Sequence, residues 1–274
     1  MEFQWYPGHM TRTKRQMLED IKLVDLVIEL LDARCPLSSR NPDIDKIAQG
    51  KARIIILNKA DMADKDATEK WKAYFEDRGL NVCCTDSRNS GDMKQINALV
   101  KKACEKKIAR DRARGIKNRP VRAMVAGIPN VGKSTFINTF AKKAAAKTGN
   151  KPGVTRGKQW IRLSSALELL DTPGILWPKF EDQKVGLNLA LIGSINDNII
   201  NTEELALELL KFLKENYPGI AEEFYKIEEA SLEEIAKARG CLKSGGKLDT
   251  LKAANILLEN FRNGKIGRIS LEKV

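Results

Sequence analysis

Short apolar runs punctuate the first two-thirds of the chain. "LVDLVIELLD" (23–32), "ARIIILNKAD" (52–61), "LNVCCTD" (80–86), "VRAMVAGIPN" (121–130), "QWIRL" (159–163) and "LELLDTPG" (167–174) are each bounded by polar, Gly or Pro residues. Runs of this length without strict alternation are expected of strands buried on both faces. Between them lie amphipathic stretches with helical spacing, such as "DATEKWKAYFEDRG" (66–79) and "MKQINALVKKACEKKIARDRARG" (93–115). The alternation predicts an α/β fold, a mostly parallel sheet with helices on both faces.

From about residue 185 only helical periodicity remains. "NTEELALELLKFLKENYPG" (201–219) offers Asn201 or Thr202 as N-cap, Glu204 for a capping box, and Pro218-Gly219 as a stop. "SLEEIAKARG" (231–240) and "DTLKAANILLENFRNG" (249–264) each close on a glycine. The pattern predicts two units, an α/β unit over residues 1–180 and a small all-α unit over 181–274.

Composition narrows the class. Apolar residues make up 42% of the chain and charged residues 31%, which suits a soluble globular protein. No apolar run approaches the roughly 20 residues of a membrane span. The first residues hold no apolar leader-like stretch, and the five cysteines lack metal-ligand spacing, so reduced thiols and a cytoplasmic location are expected. The formal net charge is +12, and residues 235–274 hold nine basic against three acidic side chains. A polyanion such as nucleic acid would suit that charge, and so would a basic soluble protein with no such partner.

Three loops carry recognisable chemistry. "GIPNVGKS" (127–134) follows an apolar strand and opens a helical pattern, the context of a phosphate-binding P-loop. Backbone N–H groups from Asn130 to Thr135, including those of Val131 and Gly132, would wrap the phosphates. Lys133 would add a point charge and the Ser134 hydroxyl would ligate Mg²⁺. "DTPG" (171–174) ends a later strand, where Asp171 can hold Mg²⁺ and the Gly174 amide can reach a terminal phosphate. Thr155, in "KPGVTR" (151–156), is placed to offer a second hydroxyl to the metal, although such a stretch also reads as a plain turn. "NKAD" (58–61) ends the second strand. The Asp61 carboxylate can accept the N1–H and N2–H₂ pair that guanine has and adenine lacks, with Asn58 bracing the loop and the Lys59 stem covering the base. The three motifs together identify a GTPase.

Their order is unusual, because the base-reading motif precedes the P-loop. The sheet of a Ras-like P-loop GTPase survives such an order if the chain is circularly permuted, with the former termini joined by a linker. That linker is "KKACEKKIARDRARGIKNRPVR" (101–122), in which ten basic residues face only Glu105 and Asp111. It reads equally as a solvated joint and as an RNA contact.

With these motifs in place, the chain resembles the circularly permuted GTPases of bacterial ribosome biogenesis. The resemblance rests on "WYPGHM" (5–10), "DARCPLSSRNP" (32–42), "NKAD", "GIPNVGKS", "KPGVT" (151–155), "DTPGILWPKF" (171–180) and "RGCLKSGG" (239–246), and it runs over essentially the whole length. It implies a GTPase acting in late assembly of the large ribosomal subunit, with a helical C-terminal domain on rRNA, stimulated by the ribosomal particle and released on hydrolysis. A monomer is expected in solution. The family's Ser-Ala-like base loop falls near "CCTDSRN" (83–89), where it is not cleanly present.

Hydrolysis poses a problem. Ras-like enzymes orient the attacking water with a glutamine just after the Asp-x-x-Gly motif. Ile175, Leu176 and Trp177 stand there instead. His9, the one histidine of the chain, is an alternative water-positioning group; the resemblance implies this role, while its neighbours Trp5 and Tyr6 suit an anchoring cluster equally. Asn130 offers another route, holding a K⁺ against the phosphates or else only shaping the loop. In the tail, Lys237, Arg239, Lys243, Lys247, Arg262, Lys265 and Arg268 are the expected RNA contacts, to backbone and shape rather than to bases. Docking of that tail on the GTPase unit or on a protein partner is the alternative.

Overall fold

A computed structural model of the protein describes residues 9–116, 119–148, 160–170, 182–196 and 200–274. The apolar runs become strands β1 (Leu26–Asp32), β2 (Ala52–Asn58), β3 (Asn81–Thr85), β4 (Val121–Ala126), β5 (Trp160–Ser164) and β6 (Leu167–Leu170). They form one sheet in the order β3-β2-β1-β4-β6-β5. β1 is buried along its whole length because it lies between β2 and β4, parallel to both. The β2–β3 and β4–β6 pairs are also parallel, and only the edge pair β5–β6 is antiparallel. Two residues separate β5 from β6, enough for a hairpin and too few for a crossover.

The order carries the permutation into space. The P-loop strand is fourth in sequence yet sits inside the sheet, beside β1. The carboxyl ends of β1, β2 and β4 therefore share one edge, where open α/β sheets bind ligands.

Helices α1 (His9–Asp20), α2 (Ile44–Ile47), α3 (Lys65–Glu76), α4 (Met93–Ala103), α5 (Glu105–Ala113) and α6 (Lys133–Thr148) accompany the strands. α3 buries Trp71 and Phe75 against Ile55, Leu57 and Val82, the periodicity expected of "DATEKWKAYFEDRG". The single helix expected over 93–115 is two, because Cys104 leaves helical geometry (φ −104°, ψ 15°) with its side chain buried. The basic linker is partly anchored there. Lys107 reaches Asp25 (3.2 Å) and Asp111 (3.0 Å), and Asp25 also accepts the Arg122 N–H (3.1 Å).

The tail is helical as expected: α7 (Gln183–Leu191), α8 (Thr202–Asn216), α9 (Ile220–Tyr225), α10 (Leu232–Ala238) and α11 (Thr250–Arg262). Asn201 caps α8 by accepting from the Glu203 and Glu204 amides, while the Glu204 carboxylate turns to the Asn201 side-chain amide (2.9 Å). One apolar cluster joins Leu205, Leu209 and Leu257 of this unit to Leu30, Ile128 and Phe136 around the sheet. After α11 the chain runs back across the α/β unit. Ile269 N–H donates to Met62 O (3.0 Å) and Leu271 N–H to Arg34 O (2.7 Å). The Glu272 carboxylate accepts from the amides of Leu37 (2.8 Å) and Ser38 (2.9 Å).

Candidate nucleotide-binding site

The P-loop and the Asn-Lys-x-Asp loop are hydrogen-bonded to each other. Asn58 Nδ2 donates to Val131 O at 2.7 Å, and Lys59 Nζ donates to Asn130 O at 2.8 Å. Gly132 sits beneath this bridge at φ +97°, where a Cβ would run into Asn58 Nδ2. A side chain at 132 is therefore excluded twice, by backbone conformation and by space. Lys133, the first residue of α6, is 8% exposed, while Ser134 and Thr135 are exposed at the same helix start. The N–H groups of a helix's first turn and the helix dipole make that end an anion site.

The back of the P-loop rests on the helical unit. Asn130, at φ +59°, donates Nδ2 to Gly193 O (2.6 Å), and Ser194 Oγ donates to Pro129 O (2.8 Å). This use of the Asn130 amide leaves its carbonyl oxygen as the group that could face a cation.

On the base side, Asn58 Oδ1 accepts from Ser87 N (2.9 Å) and from Ser87 Oγ (2.6 Å). Ser87 thus ties the "CCTDSRN" segment to the Asn-Lys-x-Asp loop. Its legible signal is a small hydroxyl residue two positions beyond the end of β3. Next to it, Arg88 Nη2 lies 2.5 Å from Asp61 Oδ2, and Arg88 also grips Asp86 through Nε (2.9 Å) and Nη2 (3.0 Å). The Arg88 hydrogen bond, only partly opposed by burial, holds the Asp86 carboxyl below its ordinary pKa.

Beneath both loops lies a buried charge cluster that reading the motifs one by one does not reveal. Asp32, at the end of β1, accepts from Arg34 Nε (2.9 Å) and Nη2 (2.8 Å) and pairs with Lys59 (3.0 Å). Burial pushes the Asp32 carboxyl up, but the Arg34 and Lys59 charges outweigh it and hold it far below the usual carboxylate range. Arg34 Nη1 extends the cluster to the carbonyls of Phe261 (3.4 Å) and Arg262 (3.3 Å), at the end of α11.

Several expected site residues, Thr155, Asp171 and Gly174, lie outside the described residues, as do Trp5 and Tyr6. His9 is the first residue of α1. Among the described residues no group of three or more His, Cys, Asp or Glu side chains is gathered as for a metal. Mg²⁺ keeps several waters and takes oxygens from substrate phosphates, so a lone Ser134 hydroxyl at the phosphate end is a fitting donor.

The expected RNA contacts divide in two. Lys237, Arg239, Lys243, Lys247 and Lys265 are exposed. Lys237 pairs with Glu234 (2.6 Å), Lys243 stands 3.9 Å from Asp249, and Arg239 lies over the rings of Tyr225 and Phe224. Arg262 is half-buried and Arg268 exposed, and the guanidiniums of both are also engaged within the chain. Arg262 donates to Leu191 O (3.0 Å) and Ala190 O (2.8 Å), carbonyls at the end of α7, where a helix runs out of its own N–H partners. Arg268 donates to Ala63 O (2.7 Å) and Ala60 O (2.5 Å), in and just after the Asn-Lys-x-Asp motif.

Comparison with known proteins agrees with this geometry. The model of a family described as 50S ribosome-binding GTPase matches residues 122–239. The ribosome biogenesis GTPase A of Bacillus licheniformis is 48% identical over 100% of this chain and 99% of its own. A GDP-bound structure of TM YlqF superposes with TM-score 0.68 at 29% identity, covering 94% of this chain and 99% of that one. A GNP-bound YlqF from T. maritima gives 0.67 at 28% identity, covering 96% and 98%.

Proposed function

This chain belongs to the ribosome biogenesis GTPase A family, a GTPase of ribosome biogenesis, and from that premise we propose that it serves assembly of the large ribosomal subunit. In this reading it binds a precursor particle through rRNA and is released when GTP is hydrolysed, with the particle itself stimulating hydrolysis. One observation carries the reading. The P-loop that would hold the phosphates is hydrogen-bonded, through Asn130–Gly193 and Pro129–Ser194, to the helical unit that carries the exposed basic residues.

The division of labour follows from the chemistry. Lys133 and the N–H groups from Asn130 to Thr135 bind the β and γ phosphates, and Asn58, Lys59 and Asp61 read guanine. Ser134, Thr155 and Asp171 would hold Mg²⁺, which neutralises charge between the phosphates. Asn130 Oδ1 would hold a K⁺, adding positive charge where an arginine finger acts in other GTPases. Water attacks the γ phosphorus, the bond to the β–γ bridging oxygen breaks, and GDP and phosphate leave. His9 orients that water in place of the missing glutamine.

Lys237, Arg239, Lys243, Lys247 and Lys265 contact rRNA backbone. The region 1–180 is the GTPase domain and 181–274 the RNA-binding domain. No described helix is long and apolar enough to cross a membrane, and a monomer in the cytoplasm fits the role. The test is GTP hydrolysis with purified large subunits. Turnover that rises with the particle, and more in potassium than in sodium, supports the reading. Turnover indifferent to the particle overturns it, and equal rates in the two salts remove the K⁺.

A further inference from the structure

Arg88 holds the carboxylate that is meant to read guanine. Its Nη2 donates to Asp61 Oδ2 at 2.5 Å. The edge of guanine that a carboxylate recognises, N1–H beside the C2 amino group, is itself a guanidine fragment, so base and side chain present the same donors to the same acceptor. Guanine needs both Asp61 oxygens for its two parallel bonds, so on Oδ2 it meets an acceptor that Arg88 already holds.

We propose that Arg88 is a built-in competitor of guanine at Asp61, which weakens nucleotide binding and speeds nucleotide release. This rests on Asp61 being the base-reading residue. The loop is built for such an exchange. Ser87 is latched to Asn58 by its amide and hydroxyl, which fixes the position of the next residue beside Asp61. Asp86 gives the displaced guanidinium somewhere to stay, through Nε–Oδ1 (2.9 Å) and Nη2–Oδ2 (3.0 Å). Nη2 carries two hydrogens, one for each carboxylate, so leaving Asp61 breaks one bond and keeps the pairing with Asp86. The Arg88 side chain is 59% exposed, so the competing bond is screened and guanine can win.

The test is equilibrium and stopped-flow binding of fluorescent GDP to Arg88→Ala, Asp61→Asn and the double variant of the full chain, at one salt concentration. Removing an exposed ion pair predicts GDP binding about two- to five-fold tighter in Arg88→Ala, with slower dissociation. The gain disappears on the Asp61→Asn background, since only contacting groups couple in a double-mutant cycle. Arg88→Gln, which keeps a polar loop, shifts affinity the same way and decides the matter if Arg88→Ala is poorly folded. Unchanged or weaker binding without the arginine overturns the proposal, and so does a gain that persists once Asp61→Asn has removed the carboxylate. If Asp61→Asn keeps the full preference for GDP over xanthosine diphosphate, the assignment of Asp61 as base reader fails instead, and the competition with it.

Discussion

The Lys59 ammonium forms a 3.0 Å ion pair with Asp32, a carboxylate with no solvent exposure. Lys59 also donates to the P-loop at Asn130, and Asp32 also binds Arg34, whose Nη1 reaches the last carbonyls of α11. One network, buried at Asp32 and Arg34, therefore runs from the phosphate loop to the helical unit. Breaking a buried pair from one side leaves an uncompensated charge, which costs about 3–5 kcal/mol. Asp32→Asn leaves Arg34 and Lys59 without their carboxylate, and urea denaturation should show a loss of that size.

The same pair sets a pH dependence. The folded-state pKa of Asp32 is depressed, whereas an unfolded Asp titrates near 3.9. Its contribution is therefore fully present above that unfolded value and is lost as pH falls toward the folded one. Urea melts below about pH 4 should show wild-type stability falling more steeply than that of Asp32→Asn. Parallel slopes would mean that Asp32 does not titrate as a paired carboxylate.

Two kinds of basic residue in the tail should separate by experiment. Lys243 and Lys247 are exposed, and replacing either with Ala should weaken rRNA binding and lower the salt slope by about one, with stability unchanged. Arg262 and Arg268 support carbonyls at the end of α7 and just after the Asn-Lys-x-Asp motif. Arg262→Ala should lower stability by about 1–3 kcal/mol, the penalty of stranded polar groups, with the salt slope unmoved. A salt slope that falls in Arg262→Ala would return that residue to the RNA surface.

This division also marks what the sequence makes legible. Strand runs such as "ARIIILNKAD" and the helical face of Trp71 and Phe75 are local patterns, and the structure reproduces both. The P-loop and Asn-Lys-x-Asp motif are legible because their chemistry is tied to fixed spacing. Arg34 is not, since its meaning comes from Phe261, 227 residues away. Ser87 and Arg88 are hidden for a related reason. Their partners Asn58 and Asp61 lie on another strand's loop, and β2–β3 pairing alone brings them together. The carbonyl contacts of Arg262 and Arg268 are hidden as well, because composition cannot tell a cation facing only water from one donating to a carbonyl.

Gly132 offers a test of the bridge between the two nucleotide loops. Its φ of +97° is costly for any residue with a Cβ, on the order of 1–3 kcal/mol. The added carbon would also push Asn58 away from Val131. Gly132→Ala should therefore weaken GTP and GDP binding together, because the Asn-Lys-x-Asp loop loses the Asn58 half of its bridge to the P-loop and keeps only Lys59. Isothermal titration with both nucleotides measures this, and unaltered affinity would show the bridge to be dispensable.

The last prediction concerns His9. Ile175, Leu176 and Trp177, where Ras-like enzymes carry the glutamine, offer no acceptor for the attacking water, so hydrolysis calls for another group. His9 opens α1, the helix that precedes β1. A positioned acid–base group contributes roughly 10²–10⁴-fold. His9→Ala should keep GTP and GDP affinity while particle-stimulated turnover falls on the order of 10²-fold. Single-turnover hydrolysis with large subunits present separates the chemical step from product release. Turnover that is unchanged would assign His9 to anchoring the N-terminus, and a parallel loss of nucleotide affinity would point to a structural role for the whole segment.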